Sequence, residues 1–102
     1  MVVMVIGEMQ GGDAARDQRI MQELGLQSAP APGAIARFAG PTDNGYRVIT
    51  VWESEEAFRT FQRDRLLPTL ERLGLPSAGA ANAQVLPLDS YRIAPQATQA
   101  TG

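Results

Sequence analysis

Few side chains in this chain could do chemistry, and their types narrow what that chemistry is. The 102 residues contain no His and no Cys. The usual general base, the commonest transition-metal ligand and the usual proximal haem ligand are therefore missing, as are thiolate nucleophiles, thiolate metal sites and disulfides. Carboxylates, guanidinium groups, phenols and hydroxyls remain, along with whatever reactivity a substrate brings itself. The candidates gather around the stretch from Gly45 to Phe61, which holds the single Trp and two of the three Phe. Tyr46 opens this stretch beside a turn, a place for a proton donor or for a rim or interface residue. Thr50 can hydrogen-bond a ligand carbonyl or fill a strand position. Trp52 can stack on an aromatic ligand or anchor the helix that follows it. Arg37 and Arg47 can bind a carboxylate or phenolate, or pair with Glu53, Asp89 or a partner subunit. Glu55 and Glu56 are adjacent, point in different directions on a helix, and suit its positive end instead of a catalytic pair. Gly7, Gly11-Gly12 and Gly25 fit no phosphate-loop spacing.

Composition removes other classes. Hydrophobic residues at 44% and charged residues at 20% describe an ordinary soluble globular chain of one domain. A net charge of -2 offers no electrostatic reason to bind nucleic acid or an anionic membrane. No apolar run approaches the roughly 20 residues of a membrane span. Met1 to Ile6 lacks a basic leader pattern, so the expected location is the cytoplasm.

The elements that must position these residues read off in order. Val2 to Ile6 is a short β-branched run, expected as a central strand buried on both faces and ended by Gly7. Asp13 is placed to cap a helix over Ala14 to Leu24, with Ile20, Met21 and Leu24 inward and Arg16, Asp17, Arg19 and Glu23 facing water; Gly25 closes it. Gln27 to Pro32 is a loop. Gly33 to Ala39 and Tyr46 to Glu53 form a hairpin across the turn-rich Gly40 to Gly45. With Gly40 opposite Tyr46, alternation sets Ala34, Ala36 and Phe38 on one face with Val48, Thr50 and Trp52. Ile35, Arg37, Arg47, Ile49, Val51 and Glu53 then take the other face, and a bulge reverses the assignment. The small Ala side chains leave room for a packed helix or a small pocket. Ser54 caps a second helix over 54–65 whose buried stripe is Phe58 and Phe61. Pro68 produces a kink near Leu66-Leu67 before a last segment reaching Leu73 and Gly74. Leu75 to Asn82 is a connector without periodicity, and Ala83 to Ile93 returns to strand, on an edge or broken at Pro87.

The order is β-α-β-β-α-β, an α+β ferredoxin-like pattern over residues 1–93, with a polar tail at 94–102 expected to lie against something such as a second subunit. Helices cover one face of such a sheet. The other face would expose Ile35, Ile49, Val51 and part of the first strand, which predicts a homodimer closed sheet against sheet.

Several segments carry a resemblance: Pro32-Gly33, Gly45-Tyr46-Arg47-Val48-Ile49-Thr50-Val51-Trp52-Glu53-Ser54-Glu55-Glu56-Ala57-Phe58, Phe61, Leu67-Pro68 and Val85-Leu86-Pro87-Leu88. Together they resemble the dimeric α/β-barrel superfamily, and within it the antibiotic-biosynthesis-monooxygenase-like proteins. The resemblance covers nearly the whole chain, and Trp-Glu-Ser-Glu-Glu-Ala-Phe is its distinctive part. It implies a dimeric α/β barrel and, among the family's activities, cofactor-independent oxygenation of quinol-forming substrates, haem degradation, polyketide cyclisation and isomerisation. Many members carry a Glu two residues before the strand aromatic and a His on the second helix; here those positions hold Thr50 and Phe61. That departure argues against haem ligation and places acid–base catalysis in question. Asp89 lies near the family's polar position on the last strand and is the carboxylate candidate for a base. The implied ligand is a hydrophobic aromatic or polyketide-like small molecule bound by Trp52, Thr50, Phe38, Phe58, Phe61, Ala36 and Arg37, without metal or cofactor. The alternative is a non-catalytic dimeric binding or scaffold module of the same fold.

Overall fold

The computed structural model describes residues 1–26 and 28–95. Among the described residues four strands, β1 (Val3–Gln10), β2 (Ala34–Thr42), β3 (Gly45–Trp52) and β4 (Gln84–Pro87), form one sheet in the order β2-β3-β1-β4. Every neighbouring pair is antiparallel. Helices α1 (Ala14–Leu24), α2 (Glu55–Phe61), α3 (Leu67–Arg72) and α4 (Ala78–Ala81) complete the ferredoxin-like α+β arrangement. No helix among the described residues is long and apolar enough to cross a membrane.

Local signals placed most element ends. Asp13 accepts from the Arg16 backbone N–H at 2.8 Å to start α1, and Gly25, in the left-handed region at φ 69°, ends it. Ser54 accepts from the Ala57 backbone N–H at 3.1 Å to start α2. Gly7 does not end β1: it pairs with Val48, and the strand runs on to Gln10. The region from Gly40 to Gly45 is not a long turn. Thr42 pairs with Gly45, so only Asp43 and Asn44 turn the hairpin. Gly45 is needed there for proximity, because a Cβ would come within 2.0 Å of the Met9 carbonyl oxygen.

The kink expected near Leu66-Leu67 is instead a π-helical turn at Gln62–Leu66, joining α2 to α3. Pro68 has no N–H for the Asp64 carbonyl and its ring crowds that turn; one wide turn upstream accommodates both. The connector contains the short helix α4, and the last strand is confined to Gln84–Pro87, where a Pro on an edge strand leaves no inner ladder bond unmade. Tyr91 to Ile93 is not strand, and from residue 96 on the expected tail lies outside the described residues, as does Gln27 in the loop.

The hairpin register corrects the expected faces. Gly40 pairs with Arg47, not Tyr46, and a bulge between Ala34 and Ala36 absorbs one residue. Arg37 therefore pairs with Thr50, and Phe38 with Ile49. Since successive side chains alternate, one step in register moves Arg37 onto the Trp52 face and Phe38 off it. Val3, Val5 and Trp52 form the core with Ile20 and Leu24 of α1, Phe58 and Phe61 of α2 and Leu70 of α3, so the helices lie on one face. Met4, Ile6, Phe38, Ile49, Val51 and Leu86 share the other by register, and Val51, expected to be exposed there, is buried.

Candidate functional site

A cavity of about 810 Å³ lies between the sheet and the helices. Its floor is made by Val5, Val48, Thr50 and Trp52, and its roof by Ile20 and Leu24 of α1, Phe58 and Phe61 of α2, and Leu66 and Leu70 beyond the wide turn. Ala34 and Ala36, at the bulge, form one edge. Small residues help to leave the space: Ala34, Ala36 and Ala80 border a volume that larger side chains would fill.

Trp52 organises the apolar end. It is 3% exposed, and its ring lies 5.8 Å from that of Phe58 and 5.2 Å from that of Phe61, both tilted. It both anchors α2 on the sheet and borders the cavity. Its Nε1–H donates to Thr50 Oγ1 at 2.8 Å, so the indole donor is satisfied within the protein. That bond occupies an acceptor site of the Thr50 hydroxyl and leaves its own hydrogen to donate elsewhere.

The polar end holds a residue that the sequence reading placed in water. Asp17 is 7% exposed and accepts a hydrogen bond from Arg37 Nη2. The side chains of this ion pair are 9% exposed for Asp17 and 30% for Arg37. The signal for Asp17 was present in its spacing, since 17, 20 and 24 lie on one helix face with Ile20 and Leu24. Charge type made it look solvent-facing; a partner on another element made burial possible. Arg47, on the opposite face, donates from Nε to Glu8 at 2.6 Å. Neither arginine takes Glu53 or Asp89 as its partner among the described residues. Arg16 also borders the cavity, its Nη1 donating to the Gln10 carbonyl at 3.4 Å.

The roof at this end is α4. A Cβ on Gly79 would meet the Glu8 carbonyl oxygen at 1.7 Å, so glycine is what lets this turn rest on β1. Gln62, buried in the wide turn, donates from Nε2 to the Ala80 carbonyl at 2.8 Å and ties the segment down.

Of the residues singled out from the sequence, Thr50, Trp52, Phe58, Phe61, Ala36 and Arg37 are brought together around the cavity. Phe38 is not: it is 52% exposed on the opposite face. Tyr46 lies toward the turn and Asp89 beyond the end of β4 is exposed; neither borders the cavity. Arg63 hydrogen-bonds Asp64 and holds that carboxyl below its ordinary range, but both are solvent-facing and away from the cavity. No group of three or more acidic, His or Cys side chains among the described residues is placed to hold a metal ion.

No family model matches the chain, and no curated protein matches it. Solved structures do. One is a Chloroflexus aurantiacus protein to which antibiotic biosynthesis monooxygenase activity is ascribed: TM-score 0.59 and 14% identity, over 92% of this chain and 100% of that one. A second is a variant of SnoaB, a cofactor-independent oxygenase from Streptomyces nogalater: TM-score 0.57 and 20% identity, over 88% of this chain and 94% of that one. Another SnoaB structure gives TM-score 0.54 and 21% identity, over 93% and 97%. The chain thus has the ferredoxin-like fold of the antibiotic-biosynthesis-monooxygenase-like proteins.

Proposed function

We propose that the cavity binds a hydrophobic aromatic or polyketide-like small molecule and that the protein acts on it as a cofactor-independent monooxygenase or cyclase. The observation that carries this reading is the volume of about 810 Å³ left open over Trp52, in the range of small-molecule sites. The likeness of fold to SnoaB supports the reaction class. With no His or Cys to call on, the protein contributes confinement, desolvation and hydrogen bonds from Thr50 and Arg37 to a substrate that forms its own carbanion. For an anthrone-type ring, the carbanion attacks dioxygen, a ring methylene becomes a carbonyl, and the second oxygen leaves as water. The substrate supplies all the electrons. The same reading makes the protein a cytoplasmic homodimer closed through the helix-free sheet face, whose Met4, Ile6, Phe38, Ile49 and Leu86 form an apolar surface.

One observation favours a second reading, a ligand-binding module without chemistry. The Thr50 hydroxyl is bound by Trp52 and Asp17 is bound by Arg37, so neither stands as an unengaged base. Incubation with a panel of dihydroxyanthracenes under oxygen separates the two. The enzyme reading expects quinone formation above the buffer rate, reduced by Trp52→Phe. Binding without turnover, identical in Trp52→Phe, establishes the module instead.

A further inference from the structure

The cavity has two unlike ends, and the polar end is biased in sign. Arg16 and Arg37 border it as cations, against the single buried carboxylate of Asp17. Glu8 also borders it, but Arg47 binds that carboxylate from the opposite face of the sheet. Arg16 meets a neutral carbonyl through Nη1. Arg37 uses Nη2 for Asp17, and a guanidinium carries five N–H donors in all, so donors remain for a ligand. Thr50 is the direct cross-strand partner of Arg37, on the same face, and its hydroxyl already accepts from Trp52. Both neighbours therefore offer hydrogens, one with a positive charge behind it. Such a pair recognises an acceptor, and an ionised acceptor best.

We propose that this end of the cavity is an oxyanion site, taking the carboxylate or phenolate oxygen of a ligand on Arg37 and Thr50 while the ligand's ring body lies toward Trp52, Phe58 and Phe61. Asp17 is a positioning residue. It holds the guanidinium when no ligand is bound, and its negative charge opposes the incoming anion. This inference rests on the reading of the cavity as a small-molecule site.

The test uses anthracene-2-carboxylate and anthracene-2-carboxamide, titrated against the full chain with the fluorescence of Trp52 as readout. The carboxylate is expected to bind about tenfold more tightly than the amide. 2-Anthrol, titrated below and above its own ionisation, distinguishes a phenolate from a carboxylate preference. Asp17→Asn keeps an acceptor for Arg37 but removes the opposing charge; it is expected to tighten carboxylate binding about threefold and to leave the amide unchanged. Arg37→Leu would strand the Asp17 carboxylate, so the double variant Asp17→Asn/Arg37→Gln is used to remove both charges, and it is expected to erase the preference. Equal affinity of the wild-type chain for acid and amide overturns the oxyanion site and leaves the small-molecule reading standing. Failure of all three probes to bind overturns both. Weaker carboxylate binding in Asp17→Asn overturns the role given to Asp17.

Discussion

Alternate residues of the same strands meet two different surroundings. Val3, Val5, Thr50 and Trp52 look toward the helices, where aromatic and aliphatic side chains meet them and yet leave a cavity. Met4, Ile6, Ile49 and Leu86 look the other way, and none of the described helices covers them. The covered face carries small residues at its edge and therefore holds space; the other face is apolar, with Phe38 exposed, Met4, Ile6, Ile49 and Leu86 half-buried and Val51 buried. The ion pairs divide in the same way. Asp17–Arg37 lies on the covered side with one partner buried, whereas Glu8–Arg47 is exposed, with side chains 46% and 52% accessible.

The hardest blow to the covered face is Trp52→Ala. Removal of the ring that joins Phe58 and Phe61 to the sheet is expected to cost about 3–5 kcal/mol in urea unfolding. A loss under about 1 kcal/mol would show that this face is not organised around the indole. On the open face, Ile49→Asp is expected to keep the secondary structure seen by circular dichroism and to halve the sedimenting mass at micromolar concentration, because it puts a charge into the apolar patch. An unchanged mass would mean that the chain closes through another surface or not at all. The two arginines make the finest comparison. Arg37→Ala, which leaves the buried Asp17 carboxylate unpaired, is expected to cost about 3 kcal/mol, and Arg47→Ala under about 1 kcal/mol. Equal losses would remove the distinction between the two faces.

Much of the fold was legible in single residues and short spacings. Asp13 and Gly25 bracket α1, Ser54 opens α2, and Pro87 keeps β4 at an edge, because capping and proline chemistry act within a few residues of where they are written. The cavity's apolar members Trp52, Phe58 and Phe61 were legible for the same reason, through helix spacing next to an aromatic strand. Arg37 was named as a ligand-binding residue and does border the cavity, but the faces given to it and to Phe38 were wrong. Their sides depend on a bulge near Ala34 and on which residue faces Gly40, and a period-2 pattern carries no information about either. Asp17 lay on the inward stripe by spacing, but whether a carboxylate stays there depends on a cation reaching it from β2, twenty residues away in the chain. Short-range propensities are set by neighbours along the backbone, whereas strand register and the pairing of a buried charge are set by groups that meet only when the chain has closed on itself.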